Sequence, residues 1–191
     1  MITLRIATTD DAKAIANIYG YYVNNTAITF EYIAPDEQEF VKRINDKLQK
    51  YPFIAAVDSG EVIGYAYASE YRTRAAYNWD AELSVYTDFR HIGKGVGSLL
   101  YSALIEILKI QNVVTLCAGI TYPNNASERL HKKLGFEYMG VFRAIGFKNK
   151  KWHDVLWYTK QINSLDTPQK VIPFPLLDKD AINKILTLYS R

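Results

Sequence analysis

The sequence Phe89-Arg90-His91-Ile92-Gly93-Lys94-Gly95-Val96-Gly97-Ser98-Leu99-Leu100 lies near the middle of the chain and organises the residues on either side of it. A β-rich run, 79–86, precedes this stretch, and a run with apolar residues every three or four positions, 96–108, follows it. This order predicts a strand, a glycine-rich turn and a helix. Alternate glycines let the backbone turn without Cβ clashes and point several N–H groups in one direction. Because a helix start adds unpaired donors and a partial positive charge, the stretch predicts a phosphate or pyrophosphate site.

Two well-known phosphate-binding loops do not fit the stretch. The nucleotide-triphosphate loop requires a lysine and then Ser or Thr after its last glycine, whereas Lys94 is followed by Gly95. The dinucleotide loop requires a third glycine three residues after the second, and that position holds Ser98. What remains is the pattern Arg-x-x-Gly-x-Gly-x-Gly, residues 90–97. Glycines that serve only the geometry of a tight turn are the alternative interpretation.

The composition is typical of a globular chain with one sizeable core. The 191 residues are 49% hydrophobic, which excludes a disordered chain. The net charge of +3 gives no argument for a nucleic-acid or membrane partner. The single cysteine, Cys117, cannot form an internal disulfide, and its apolar surroundings predict a buried, unreactive thiol. The chain opens without a secretory signal and has no apolar run of about 20 residues, so we expect a cytoplasmic protein.

Apolar periodicity and turn residues predict an α/β fold with strands before and after the glycine loop. The first strand is followed by two helices, the second of which begins at Asp36 with Glu39 as a capping-box partner. The predicted strands are 2–7, 53–57, 61–69, 76–87, 113–121, 136–147 and 152–161. A short helix capped by Asn125 precedes the final hairpin. From Asn163 onward, three prolines and a weakly amphipathic end, 181–189, predict an extension without a core of its own.

The glycine loop, the segment 125–136 (Asn-Ala-Ser-Glu-Arg-Leu-His-Lys-Lys-Leu-Gly-Phe) and the run Trp152-His153-Asp154-Val155 together resemble the GNAT superfamily of N-acetyltransferases. The resemblance is strongest to the phosphinothricin and methionine sulfone type subgroup and covers residues 2–162. It implies a GNAT fold: a mixed central sheet of about seven strands flanked by about four helices. Residues 1–162 would form the acetyltransferase domain, and 163–191 a C-terminal extension that packs on the domain or on a partner.

The same resemblance implies an enzyme that moves the acetyl group of acetyl-CoA to the amine of a small amino-acid-like acceptor. Phosphinothricin, methionine sulfoximine and methionine sulfone are the expected acceptors, and direct attack in a ternary complex is the expected route. The subgroup also implies a homodimer. Two alternatives stay open: an acetyltransferase for another amine, such as a protein N-terminus or a polyamine, and a non-catalytic CoA-binding module.

Glu82 is the candidate general base. Strand alternation predicts Leu83 and Val85 on one face of the strand and Glu82 and Ser84 on the other. A carboxyl group in the middle of an apolar strand is expected to have a raised pKa, which suits proton acceptance. A solvent-exposed or ion-paired glutamate is the alternative. The resemblance adds His131 as the acid that protonates the leaving thiolate, although a buried structural histidine would look the same in the sequence.

The resemblance also assigns binding residues. Backbone groups of Leu83, Ser84 and Val85 would hold the pantetheine arm. The loop would bind the pyrophosphate through Arg90, His91, Ile92, Gly93, Lys94, Gly95, Val96, Gly97 and Ser98. Asn125 and Ser127 would reach the same cofactor, with helix capping as the alternative.

The acceptor site is predicted upstream of the catalytic strand. Arg72, Arg74 and Tyr77 would hold a carboxylate, since arginine pairs with carboxylates in a bidentate manner; solvated surface charges are the alternative. Phe30 would form a wall of the pocket, and His153 would act there as a second base or shape the pocket. The sequence contains no motif for a metal site.

Overall fold

A seven-stranded mixed sheet in the order β1-β2-β3-β4-β5-β7-β6 forms the centre of the computed structural model, which describes all residues, 1–191. The strands are β1 Ile2–Ile6, β2 Phe53–Asp58, β3 Glu61–Glu70, β4 Asp80–Thr87, β5 Thr115–Tyr122, β6 Glu137–Lys148 and β7 Lys151–Gln161. The helices are α1 Ala12–Asn25, α2 Glu37–Leu48, α3 Val96–Ile110, α4 Asn125–Lys133 and α5 Lys179–Tyr189. Only β4 and β5 pair in parallel, and α3 connects them. The GNAT-type α/β fold predicted from the sequence is therefore confirmed.

The two faces of the sheet carry different helices, and β4 contributes to both. Ala81 and Leu83 belong to the larger buried cluster, which contains the apolar residues of α3. Tyr86 packs instead against the cluster that contains Tyr19 and Tyr65, beneath α1 and α2. Successive side chains of a strand point to opposite faces, so this division confirms the predicted alternation. Glu82 lies on the α1–α2 face.

The strands β4 and β5 pair over only three residues. The register joins Asp80 to Thr115, Ala81 to Leu116 and Glu82 to Cys117, and no pairs follow. Both strands continue beyond this point, so they diverge from Leu83 onward. Backbone groups that a paired strand would satisfy are thus left facing a gap between the two strands.

The residues before β4 do not continue the strand as predicted from position 76. Residues Ala75–Tyr77 instead form a turn of 3-10 helix, closed by hydrogen bonds from Tyr77 N to Arg74 O and from Asn78 N to Ala75 O. The strand therefore begins at Asp80. The apolar composition of the segment does not reveal this turn.

The C-terminal residues contribute to the larger buried cluster. Phe174, Leu177, Ile182 and Leu186 are each at most 9% exposed and belong to the cluster that includes α3. At the very end, Arg191 N donates to Ile2 O at 2.7 Å, which adds a backbone contact at the outer edge of β1. No helix combines the length and the apolar character needed to cross a bilayer.

Candidate active site

The glycine loop presents unpaired backbone donors at the start of α3. Gly93 and Gly95 have φ angles of +82° and +85°, a region that disfavours residues with a Cβ. No carbonyl oxygen accepts from the N–H groups of Gly93, Gly95, Val96 or Gly97. Because these donors lie at a helix N-terminus, the loop has the geometry and the partial charge to hold a diphosphate.

A cavity of about 470 Å³ opens between this loop and α4. Its lining consists of loop backbone, the last residues of β4 and one side of α4. The lining residues are Tyr22, Ile28, Val85, Tyr86, Thr87, His91, Ile92, Gly93, Gly95, Val96, Gly97, Ser98, Asn124, Ala126, Ser127, Arg129, Leu130 and Lys133. Most of the residues predicted to bind the cofactor through the loop are therefore brought together on one wall.

Arg90 and Lys94 are the exceptions within the loop. Asp88 accepts hydrogen bonds from both the backbone N–H of Arg90 and its guanidinium, at 2.6–3.2 Å. Arg90 consequently lines a separate cavity beside α1, so its contact with the pyrophosphate stays a prediction. Lys94 is exposed and outside the cavity lining. His91, expected on the exposed loop, is half-buried, with its Nδ1 4.0 Å from Asp88.

The cap of α4 is shifted by one residue from the prediction. Asn124, not Asn125, is the N-cap, because its Oδ1 accepts from Ser127 N at 3.1 Å. Asn124 and Ser127 line the cavity, whereas Asn125 is exposed and does not. Two adjacent asparagines are equivalent as capping residues in the sequence, so only the backbone path decides between them.

Two cations of α4 in the cavity lining were missed by the sequence analysis. Arg129 and Lys133 lie one helical turn apart and make no ion pair, whereas their neighbour Lys132 lies 3.8 Å from Glu128. Spacing of four residues places two side chains on one helix face. Arg129 and Lys133 lie three and seven residues after Ala126, on the same face of α4, so helical spacing could have revealed them.

Glu82 lies where β4 and β5 separate. It is half-buried, and burial raises the pKa of its carboxyl group while the Lys47 ammonium lowers that pKa by a smaller amount. Its strand neighbours are Ser69 of β3 and Cys117 of β5. A carboxylate of raised pKa at the end of a strand pair is suited to accept a proton from an incoming ammonium group.

Some of the residues around Glu82 are buried in the core, and others are available to a ligand. Leu83 is buried in the α3 cluster, so only its backbone is available to a ligand, and Val85 reaches the cavity lining. Ser84 lies beside Tyr67, its cross-strand partner. Cys117 is buried, and burial raises the pKa of its thiol to about 12. A thiol in that state is a poor nucleophile, as predicted.

The structure does not place His131 in the cavity. Its ring is 2% exposed and surrounded by Tyr101, Phe136 and Tyr158 at centroid distances of 5.0–6.1 Å. Nδ1 donates to Ser127 O at 2.8 Å, and burial lowers the pKa of the imidazole. A neutral imidazole with Nδ1–H bound to a carbonyl has no proton to give to a thiolate. This placement favours the structural histidine that the sequence left open as the alternative, and the acid role stays a prediction.

The loop between α1 and α2 is fixed to the end of the β6–β7 hairpin. The ring of Phe30 lies against Gly146 and leaves no room for a Cβ at that position. The buried Nζ of Lys148 donates to Val23 O and Thr29 O, both at 2.8 Å. His153 is also buried and donates from Nε2 to Lys148 O at 3.0 Å, which favours a structural role over that of a second base. Phe30 therefore keeps a position fixed by this contact.

Arg72, Arg74 and Tyr77, which were predicted to bind the acceptor carboxylate, do not line the cavity between the glycine loop and α4. The Arg72 guanidinium is 5.1 Å from the ring centroid of Tyr71 and 5.4 Å from that of Tyr77. Tyr71 in turn contacts Trp157 of β7 at 5.9 Å. Arg72 is thus held by aromatic rings without an acidic partner, while Arg74 is exposed and makes no ion pair.

The fold and the cavity are suited to a transferase that takes its group from a diphosphate-bearing carrier. The loop of unpaired N–H donors can hold the diphosphate, and the nearby carboxyl of raised pKa can accept a proton. The sequence matches the acetyltransferase (GNAT) domain family over residues 4–157. The chain belongs to the GNAT acetyltransferase family.

Relatives that match along most of the chain agree with this assignment. The phosphinothricin N-acetyltransferase of Streptomyces viridochromogenes is 33% identical over 172 residues, covering 90% of this chain and 94% of the relative. An L-methionine sulfoximine/L-methionine sulfone acetyltransferase of Salmonella typhimurium is 31% identical, covering 87% and 98%. The crystal structure of a GNAT superfamily phosphinothricin acetyltransferase from Sinorhizobium meliloti in complex with AcCoA superposes with a TM-score of 0.86, at 35% identity, covering 91% of this chain and 96% of that one.

The chain is therefore an acetyl-CoA-dependent N-acetyltransferase, as the sequence predicted. The residues fit this cofactor: the free N–H groups of the loop match a diphosphate, and the gap beyond Glu82 is lined by strand backbone. Acetyl-CoA supplies the thioester from which the acetyl group is transferred.

Proposed function

We propose that this enzyme acetylates the α-amine of small amino acids of the phosphinothricin or methionine sulfone type, with Glu82 as the general base. The position of Glu82 carries the proposal: it is a half-buried carboxyl at the point where β4 leaves β5. Glu82 removes a proton from the acceptor ammonium. The neutral nitrogen then attacks the thioester carbonyl, the C–N bond forms, and the C–S bond breaks to release the CoA thiolate, while a second proton leaves the nitrogen for the thiolate or solvent to give the neutral amide.

The cysteine and histidines of the chain support direct attack over an acyl-enzyme. Cys117 is a buried thiol with a raised pKa, and His131 and His153 are hydrogen-bonded inside the protein. The loop N–H groups hold the diphosphate, and backbone groups of β4 at Leu83 to Val85 orient the pantetheine arm. A thiol has an ordinary pKa of about 8.5, so its thiolate leaves without an obligatory acid.

The test is a thiol-release assay with acetyl-CoA across a panel of amines. The panel contains phosphinothricin, methionine sulfoximine, methionine sulfone, a polyamine and a peptide with a free N-terminus. We expect turnover with the amino acids, and a loss of about 10²–10⁴-fold in kcat in Glu82→Gln at neutral pH. A preference for the polyamine or the peptide, or a near-normal rate in the variant, would contradict the proposal.

The proposed assembly is a homodimer that uses the β6–β7 hairpin. Six large apolar residues on it are exposed, and an exposed cluster of apolar residues is typical of an interaction surface: Tyr138, Met139, Phe142, Ile145, Phe147 and Trp152. Light scattering of Phe142→Glu, with Arg143→Glu as the neighbouring control, tests this; a monomeric wild-type protein would reject it.

We also propose a cytoplasmic site of action, because the lone cysteine is a free thiol.

A further inference from the structure

Lys47 lies on the same face of the sheet as Glu82. It is in the last turn of α2, and its Nζ is 5.4 Å from the ring centroid of Tyr67 on β3. Tyr67 pairs with Ser84, and two residues further along β3 Ser69 pairs with Glu82. Residues that pair across antiparallel strands share a face, so Tyr67 and Glu82 are diagonal neighbours beneath the ammonium group of Lys47.

Lys47 is a half-buried cation of α2 that has neither an ion-pair partner nor a hydrogen-bond partner. Arg43, one turn earlier, is bound by Glu31 and Glu39 at 2.8–3.3 Å. Lys50 is bound by Glu70 at 2.8 Å. The Nζ of Lys47 makes neither a hydrogen bond nor an ion pair within 4.0 Å.

The charged groups that face Lys47 act on it from a distance. Burial lowers the pKa of its ammonium first and Arg43 lowers it further, while Glu82, Asp46 and Glu70 raise it by smaller amounts. A partly desolvated cation with a lowered pKa is stabilised by an anion that can approach it directly. The structure supplies no such anion, so the N–H donors of the Lys47 ammonium group are free. They lie on the same face of the sheet as Glu82, where we propose that the acceptor binds.

A second cation flanks Glu82 from the opposite direction. Glu82 pairs with Cys117 on β5, and the Arg72 guanidinium lies over the ring of Tyr71, which contacts Trp157 on β7, the strand next to β5. Lys47 is therefore on the β3 side of Glu82 and Arg72 on the β5 side. An acceptor whose amine lies at Glu82 could place one anionic group toward each cation.

We infer that Lys47 binds the anionic side group of the acceptor, while Arg72 holds the α-carboxylate, so that this enzyme favours acceptors with two negative groups. Phosphinothricin carries a carboxylate and a phosphinate, whereas the side group of methionine sulfone is neutral. The inference rests on the proposed function and adds a residue that determines its specificity. It predicts a higher kcat/KM for phosphinothricin-like, doubly anionic amino acids than for sulfone-type acceptors.

The experiment compares the two acceptors in Lys47→Met and in Lys42→Met. The methionine keeps the apolar stem of Lys47 and removes its charge, and Lys42 is an exposed lysine on the same helix. Because Lys47 lowers the raised pKa of Glu82, the comparison is made across a pH profile, which separates loss of an acceptor contact from a change in the ionisation of Glu82. We expect kcat/KM for phosphinothricin to fall about tenfold in Lys47→Met, through KM, with methionine sulfone unchanged. Lys42→Met should alter neither, and Lys47→Arg should retain the preference.

Three results would overturn the inference. An equal loss with both acceptors, accompanied by a shifted acid limb of the pH profile, would mean that Lys47 acts only on the ionisation of Glu82. An unchanged ratio in Lys47→Met would remove the contact altogether. Calorimetry of phosphinothricin binding to the CoA complex gives the third: an equal Kd for wild type and Lys47→Met. Failure of the proposed function is distinguishable, because the wild-type enzyme would then acetylate neither amino acid.

Discussion

Replacing Lys148 by methionine should weaken both the fold and the acceptor site. The side chain is buried in the β6–β7 hairpin, 3% exposed, and donates to Val23 O and Thr29 O. Val23 is among the last four residues of α1, whose carbonyls have no partner within the helix. Lys148 therefore closes the end of α1 and fixes the following loop with one amine.

The magnitude follows from the two carbonyls that lose their donor. A buried acceptor left without a partner costs about 1–3 kcal/mol. Methionine recovers part of that cost, since it removes the need to bury an ammonium group. We expect the free energy of unfolding to fall by about 2–3 kcal/mol, and Tm by roughly 5–10 °C for a chain of this size.

Thermal and urea unfolding measure the first effect, and steady-state kinetics the second. The loop that Lys148 holds also carries Phe30, so KM for the acceptor should rise more than KM for acetyl-CoA. Lys151→Met is the matched control, because Lys151 is an exposed lysine at the start of β7. A Lys148→Met protein with the Tm and the acceptor KM of the wild type would refute the assigned role of the amine.

Three further predictions concern the cofactor site, the buried histidine and the C-terminal helix. The double variant Arg129→Ala, Lys133→Ala should raise KM for acetyl-CoA about tenfold but change KM little for its 3′-dephospho analogue, since two unpaired cations suit a phosphate; equal losses would exclude that contact. Burial holds the pKa of His131 below 6.5, so the unfolded chain binds the proton more readily, and stability should be full above about pH 6.5 and fall as the pH drops toward the folded-state pKa. Denaturant titrations between about pH 5 and 8 should show a smaller slope in His131→Asn. Leu186→Ala should cost about 2–5 kcal/mol in urea unfolding, whereas Leu188→Ala, at a 74% exposed position, should cost little.

The elements that could be predicted are those specified by local patterns. The order of strand, glycine turn and helix around Gly95 follows from φ preferences and from apolar spacing, and it is found as predicted. The faces of β4 follow from alternation alone. The element bounds that differ, such as β4 starting at Asp80, depend on one or two hydrogen bonds in a turn, which residue types do not specify.

The details of the site were harder to predict because they depend on which partner each polar group finds. Arg90 looked like a phosphate ligand, yet Asp88, two residues before it, takes both its backbone N–H and its guanidinium. His131 looked like an acid, yet the folded chain encloses it in aromatic rings. The sequence pattern reveals neither interaction. Asp88 competes with a phosphate for Arg90 over a distance of two residues, and the aromatic rings reach His131 only in the folded chain.

The partners of the polar groups therefore separate structural residues from site residues better than residue type does. Lys148 is buried and Lys47 is half-buried, but Lys148 donates to two carbonyls and Lys47 to none. The N–H groups of Gly93 and Gly95 are likewise free, whereas that of Arg90 is not. A polar group near solvent that the fold leaves unpaired costs little until a ligand displaces its water. Such groups can change without harm to the fold, so we expect acceptor preference in this enzyme to respond to Lys47 far more than stability does.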